Sequence, residues 1–501
     1  MTLNLLNLLS LTIWTPIIAG IVVLFASKND TLAKCISLLG AVIGFILSLI
    51  VYLQFNANIS GIQFEEMHIW IQSLNINYHL GVDGISMPFL LLNNFITVTV
   101  IIAGWKVITN KVALYNSMFL IMTGFMSAVF CALDAMVFYV FFEAMLIPMY
   151  LIIGIWGSSN RVYAALKFFL YTLLGSLLML IVLIYLYYAS GNTFEIFAYY
   201  KTTLTMFAQI LIFIAFFFAF AVKVPMWPVH TWLPDAHPEA PTGGSMVLAA
   251  ITLKIGGYGI LRFMLPIVPD ASRALSGLMI TLSLIAIVYI GFVSIVQKDM
   301  KRLVAYSSIS HMGFVTLGSF LFVGQYLNTW ALQGAIVQMI SHGFISAAMF
   351  MCIGVMYDRV HSRNIADYGG VATKMPIFAA FFMLFSMANS GLPGTSGFVG
   401  EFMVIMGSVQ TKFIYAFFAA TILVIGAAYT LWMYKRVVFG EVNNKHVAAM
   451  TDVNFSEFVV LFVLAVAVIA MGVYPEMFVA KMQTGVKDLV IQVANTKLGI
   501  R

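Results

Sequence analysis

LTMFAQILIFIAFFFAFAVKVPMWPVH, residues 204–230, begins as an apolar run suited to a bilayer and stops on Lys223, Pro225 and Pro228. Proline removes a backbone donor and clashes with the preceding turn, so the helix must unwind beside the lysine. The second such stretch is NSGLPGTSGFVGE, residues 389–401, which breaks at Gly391, Pro393 and Gly394 shortly before Glu401. Freed amide and carbonyl groups at membrane depth persist only when buried in protein or lining water. Each break therefore predicts a hydrated site inside a helical membrane protein.

The rest of the chain fits that reading. Of its 501 residues 62% are hydrophobic and 9% charged, a composition that no soluble domain has. With roughly 20 apolar residues needed per span, the sequence divides into about fourteen helices. They lie near 4–26, 33–55, 85–104, 113–132, 135–154, 163–189 and 204–233, then 242–265, 275–297, 303–323, 329–354, 375–409, 412–435 and 455–474. The start MTLNLLNLLSLTIW has no basic leader or small-residue cleavage site, and reads as a retained first span. The outer segment 56–84 alternates like a short hairpin.

Charge supports the segmentation. One set of loops carries Lys28, Lys34, Lys106, Lys111, Arg161, Lys298, Lys301, Arg302, Arg359, Arg363, Lys374, Lys435, Arg436 and Lys445; the opposite set carries Lys201, Arg262, Arg273 and Lys412. By the positive-inside rule both termini lie outside. The net charge of +6 is strung between spans rather than clustered, which argues against a nucleic-acid partner.

Four ionisable residues, Glu143, Lys223, Lys254 and Glu401, fall deep within spans. Each costs at least roughly 2.5–3.5 kcal/mol on insertion scales, and such residues usually serve ion or proton pathways. Burial disfavours the charged forms of acids and bases alike whereas pairing favours them, so a pair that opens and closes gates protonation. Lys167 lies near a helix end where it can either snorkel or relay, and Asp134 is placed to cap the fifth helix. His230, with Asp235, His237 and Glu239, sits among prolines in a loop rather than in a metal-ligand spacing. Cys35, Cys131 and Cys352 are too scattered for iron–sulfur ligation, and no nucleotide-binding glycine fingerprint appears outside apolar spans.

The spacing of the breaks predicts a repeat. From the fourth span to Pro225 is about 112 residues and from the ninth span to Pro393 about 118, so helices four to eight and nine to thirteen form two inverted five-helix units. The expected organisation is 1–112 with the hairpin 56–84, a first repeat 113–265, an inverted repeat 275–435, and a final helix and tail 436–501.

At this level of detail the chain resembles the antiporter-like proton-translocating subunits of respiratory complex I, NADH-quinone oxidoreductase. The resemblance rests on GVDGIS at 81–86, LDAMVFYVFFEAMLIPMY at 133–150, RVYAALKFFLYTLLGS at 161–176, KVPMWPVHTWLPDAHPEAPTGGSMVLAAITLKIGGYG at 223–259, QKDMKRLVAYSSISHMG at 297–313 and SGLPGTSGFVGEF at 390–402. A glutamate at 401, together with GVDGIS, looks like the chain M (chain 4) branch; the tail after 475 is too short for the long lateral helix of the larger chain L.

The resemblance implies a proton path through Glu143, Lys223, Lys254, His311, His342 and Glu401, with Lys167, Asp134 and His230 as accessory positions. It implies no catalytic, cofactor or metal site here. NADH, FMN, iron–sulfur clusters and quinone would belong to partner subunits, and sister antiporter-like subunits would adjoin this one in a bacterial inner membrane or its mitochondrial counterpart. Two other readings fit the residues: a subunit of a multisubunit Na⁺/H⁺ antiporter or membrane-bound hydrogenase, and a non-transporting scaffold whose charges only lock helices together.

Overall fold

The computed structural model describes residues 7–498. Twelve helices among them are long and apolar enough to cross a membrane. Two further passes complete the expected set. One is Met300–Ser319, a helix with many serines; the other is the broken pair Pro376–Asn389 and Ser396–Thr411. The expected first span, 4–26, starts outside the described residues and appears as Leu8–Phe25. The tail likewise runs past the last described residue.

Two helices form the centre. Thr242–Ile267 and Thr329–Val360 are wholly buried along their apolar stretches, Met87–Val107 and Val112–Cys131 are buried over 67% and 83% of theirs, and the other long spans over half or less. A helix buried all round has no solvated face for its polar side chains, so polar groups on it must find partners inside. These two helices carry Lys254 and His342.

One end of the bundle is a basic face and the other a hairpin face. The hairpin forms as expected, Gln63–Ile71 pairing antiparallel with Ile76–Val82. It is tied into the bundle by acids. Buried Glu66 accepts the backbone N–H groups of Leu9, at 2.8 Å, and Ser10, at the otherwise unsatisfied start of helix Leu8–Phe25. Asp134 caps helix Ala135–Ala144 through Met136 and Val137 and also accepts from Asn77 of the hairpin at 3.0 Å.

The tail folds into helix Glu476–Ala494, which at 19 residues is about 28 Å long. It runs along the hairpin face from Tyr52 and Ser60, bonded to Lys481 and Asp488, towards Lys497, whose ammonium donates to Tyr199 O at 2.6 Å.

His79 fastens the hairpin by donating from Nδ1 to Glu195 at 2.8 Å and from Nε2 to Glu65 at 2.7 Å, which requires the doubly protonated ring. Burial lowers its pKa, but the hydrogen bonds and charges of Glu195 and Glu65 outweigh this and raise it above 6.5. A raised folded value makes the clasp complete below pH 6.5 and lost as pH climbs through the folded value. Amide-exchange protection factors over residues 63–82 are therefore expected to fall as pH rises above 6.5 through that raised value, and His79→Gln to remove that dependence. Equal protection at pH 6 and pH 9 in the unmodified protein would refute the clasp.

The first break falls where the prolines place it: helix Met206–Lys223 stops on its lysine, and the freed Val222 carbonyl is taken by the Trp232 indole at 2.8 Å. Two other elements differ from expectation. The fifth span is interrupted at Met145, between Ala135–Ala144 and Leu146–Trp156. Pro148 explains this, since its ring crowds the carbonyl four residues back, that of Ala144. Arg262, counted above among loop cations, is buried within span 242–267 and pairs with Asp83 at 2.5 Å. Removing it from the loops leaves Lys201, Arg273 and Lys412 there and sharpens the charge asymmetry.

Candidate functional site: a buried line of proton-carrying groups

The central helix carrying Lys254 is not regular. Two π-helical segments, Leu248–Thr252 and Ile260–Met264, flank the short α-helix Leu253–Gly259. Such segments inside α-helices are frequent at functional sites. Lys254 Nζ turns back to the Ala249 carbonyl at 2.5 Å and meets His342 Nδ1, 88 positions away in sequence, at 2.6 Å.

From His342 the line continues. The rings of His342 and His311 have centroids 5.8 Å apart. His311 Nδ1 lies 2.6 Å from Glu401 Oε1, and its Nε2 faces the Tyr429 hydroxyl at 3.3 Å. Gln338 donates to the same Glu401 oxygen at 3.2 Å. A cavity of about 10 Å³ adjoins His311, His342, Gln338, Asn389 and Glu401, room for about one water molecule.

The second break positions Glu401. Gly391 and Gly394 have φ of +76° and +87°, a left-handed conformation that non-glycine residues resist. Helix Ser396–Thr411 restarts after this turn with Glu401 buried at 3% exposure.

Glu143 and Lys223 form a second cluster, and here the geometry departs from a closed pair. Among the described residues no ion pair within bonding range joins them. Glu143 Oε1 and Lys223 Nζ are each buried without a hydrogen-bond partner, and Lys223 Nζ sits 4.6 Å from the centre of the Phe142 ring. Desolvated cation–π contacts of this kind contribute about 2 kcal/mol. Glu143 itself is only half buried, at the side of the bundle. Gly256 joins the two clusters: a Cβ there would lie 2.9 Å from both Lys223 Cβ and the Val224 backbone, so only glycine lets the Lys254 helix approach the first break.

The accessory residues are placed elsewhere. Asp134 lies on the hairpin face as a cap. Lys167 binds Asp235 at 2.6 Å, which also takes Arg302 at 2.8 Å, in a network on the basic face. His230 is buried in the turn after Pro228, with Nδ1 unpartnered.

Sequence reasoning missed Gln338, Tyr429 and Asn389. Gln338 stands four residues before His342 and therefore on its helix face, a usable signal. Tyr429 and Asn389 carried none. No group of three metal-ligating side chains converges among the described residues, and the three cysteines are free.

The family model described as NADH:quinone oxidoreductase/Mrp antiporter, TM matches residues 132–426, the stretch that holds Glu143, Lys223, Lys254, His311, His342 and Glu401. The chain belongs to that family. Among members of the NADH:quinone oxidoreductase/Mrp antiporter family, NADH-quinone oxidoreductase subunit M of Rhodobacter capsulatus is 47% identical over 488 residues, 94% of each chain. NADH-ubiquinone oxidoreductase chain 4 of Marchantia polymorpha is 43% identical over 484 residues, 96% of this chain and 97% of that one. A chain in the structure of respiratory complex I from Thermus thermophilus with bound NADH superposes with a TM-score of 0.86 at 28% identity, covering 96% of this chain and 99% of that one. The branch read from GVDGIS and Glu401 is thereby borne out.

Proposed function

We propose that this chain is a membrane-arm subunit of NADH-quinone oxidoreductase that carries protons while partner subunits carry electrons. The observation that carries the reading is the unbroken succession Lys254, His342, His311, Glu401 at hydrogen-bond or ring-contact distance inside the wholly buried centre. It has no purely structural counterpart: a helix lock needs one ion pair, not two imidazoles between a base and an acid.

The hydrogen bonds assign the starting state. With an ammonium at Lys254, His342 accepts at Nδ1 and holds its proton at Nε2; with a carboxylate at Glu401, His311 holds its proton at Nδ1 and accepts the Tyr429 hydroxyl at Nε2. Lys254 then gives a proton to His342 Nδ1, His342 Nε2 releases one towards His311 Nε2, and His311 Nδ1 releases one to Glu401. One proton has moved from lysine to glutamate, and both rings stay neutral with their tautomers exchanged. Glu401 discharges to the outer side, and the rings turn back.

Glu143 gates the entry. When it closes on Lys223 it holds that lysine charged, and when it withdraws, as here, Lys223 yields its proton towards Lys254. Moving each charge against the membrane potential takes roughly 2.3 kcal/mol per 100 mV. That energy comes from electron transfer on partners bearing NADH, FMN, iron–sulfur and quinone sites; this chain supplies no redox centre of its own. The two five-helix units are inverted repeats around this axis, in a bacterial cell membrane with both termini outside.

The test is Glu143→Gln and Lys223→Ala in the assembled enzyme. Assembly should be intact and NADH-driven proton pumping lost; normal pumping in either variant would remove that residue from the path. Purification should recover NADH-oxidising and quinone-site subunits alongside this chain.

A further inference from the structure

We propose that a cavity at the basic face of this chain binds an ammonium–phosphate zwitterion, the head-group chemistry of an ethanolamine phospholipid or of free phosphoethanolamine. The cavity has a volume of about 190 Å³ and gathers the ends of several helices. Trp156 ends helix Leu146–Trp156, and Tyr357 and Asp358 lie in the last turn of Thr329–Val360. Lys301 stands at the start of Met300–Ser319 and Glu457 in the first turn of Phe455–Val473. Helix ends on one face put these residues at head-group depth, where tryptophan and tyrosine are enriched. The space is many times the ~10–15 Å³ that one water centre needs.

Its charges are left apart. Lys301 is buried and its ammonium donates to the Ala240 carbonyl at 2.8 Å, which leaves two of its three N–H groups for another acceptor. Asp358 is half-buried and, among the described residues, takes part in no ion pair and no side-chain hydrogen bond. The other acid of the cavity, Glu457, is closed off by Arg359 through hydrogen bonds of 2.9 and 2.8 Å. In the neighbouring space Asp235, Glu239 and Asp299 all hold lysine or arginine partners. Asp358 is the exception, and it shares a cavity with an ammonium that has donors to spare. A molecule negative at one end and positive at the other completes both with charge-assisted hydrogen bonds, whereas a simple anion or cation completes only one.

The walls fit the positive end. Tyr115 and Trp156 meet edge to face, with ring centroids 5.1 Å apart and planes at 76°, and Tyr357 lines the same cavity. The indole is held in that pose by its N–H bond to the Asn110 carbonyl at 2.8 Å. Aromatic faces set at an angle beside a carboxylate recognise alkylammonium groups. Gly104 and Val107 form the wall towards the bilayer. Val107 is exposed, and a Cβ at Gly104 would come within 3.3 Å of the Tyr115 ring, so glycine keeps that wall thin and gives a lipid tail a way out.

The test uses the intact complex that contains this chain, in phosphatidylglycerol vesicles carrying a trace of phosphatidylethanolamine with a photoreactive group on its acyl chain. Labelled residues are mapped by peptide mass spectrometry. Label is expected at Gly104, Val107, Met351 and Val355. Asp358→Asn should cut it about tenfold there, the effect of losing one charge-assisted contact, with label elsewhere unchanged. Asp358→Glu should retain it. A second measurement needs no variant: on the unmodified protein, the same probe with its amine acetylated keeps the phosphate, loses the ammonium, and should label this site as weakly as the asparagine variant labels with the parent probe. Competition separates the two sources. Displacement of the probe by unlabelled phosphatidylethanolamine alone supports a lipid occupant, and displacement by soluble phosphoethanolamine as well supports the free zwitterion. Equal labelling by the acetylated probe or by a phosphatidylglycerol probe would show anion adsorption to the basic face and overturn the proposal. Undiminished labelling in Asp358→Asn, or no label at these helix ends, would overturn it too.

Discussion

Lys254→Met is expected to stop proton movement through this chain while the complex still assembles, and Lys254→Arg is expected to fail as completely. The methionine variant removes a group that costs about 2.5–3.5 kcal/mol to place at membrane depth and fills similar space with an apolar side chain, so folding should not suffer. What it deletes is the first donor of the line: His342 Nδ1 loses its partner at 2.6 Å, and nothing else that titrates is bonded there. Loss of a positioned acid or base typically costs 10²–10⁴-fold in rate, so pumping should fall by roughly two orders of magnitude or more. Arginine discriminates the mechanism. A guanidinium keeps the positive charge and can donate to His342 and to the Ala249 carbonyl, yet does not deprotonate in proteins. A helix-locking role would tolerate it, and a relay would not. Proton uptake by vesicles, measured with a pH-sensitive dye under NADH, decides: parental pumping by the arginine variant would show that only the charge is needed.

How far this site was legible in advance follows from the kind of signal each residue leaves. Lys223 and Glu401 stood out because a charge and a proline–glycine break interrupt the same apolar run, two independent departures from a spanning helix. Glu143 and Lys254 were visible as lone charges in otherwise apolar segments. Their partners were not, since the Lys254–His342 bond joins positions 88 apart and the His311–Glu401 bond positions 90 apart, and no local pattern encodes such distances. The open arrangement of Glu143 and Lys223 depends on Phe142 taking the lysine, which composition alone does not reveal.

Hydropathy also conceals irregular helices. The π segments around Lys254 and the interruption at Met145 leave the apolar content unchanged, so spans 242–265 and 135–154 read as ordinary rods. The same blindness placed Arg262 in a loop, because a cation near the end of an apolar run looks like a flank. His237 reads from sequence as part of the loop after Pro228, and its complete burial without hydrogen-bond partners is a property of the folded state only.

Asp83→Ala is expected to be the most damaging substitution outside the proton path, for a reason specific to the buried pair it breaks. Asp83 Oδ2 meets Arg262 Nη2 at 2.5 Å with both side chains about one-tenth exposed or less. Its Oδ1 accepts the N–H groups of Ile85 and Ser86, at 3.0 and 2.9 Å, turning the chain into helix Met87–Val107. Alanine leaves the guanidinium buried with Tyr258 as its remaining side-chain partner, at 3.1 Å. Orphaning one member of a buried ion pair costs about 3–5 kcal/mol. Asp83→Asn should cost less, since the amide oxygen can still take the two turn N–H bonds. Replacing both members, Asp83→Asn with Arg262→Met, should recover most of the loss, because removing a buried pair outright is often neutral once the charges no longer need solvating. The measurement is the thermal unfolding midpoint and yield of the complex across the three variants. If Asp83→Ala unfolds with the parent, or if the double variant is worse than Asp83→Ala, the pair is not what fixes helix Met87–Val107 to the Lys254 helix. In that event the Asp83 turn alone accounts for the stability of this corner.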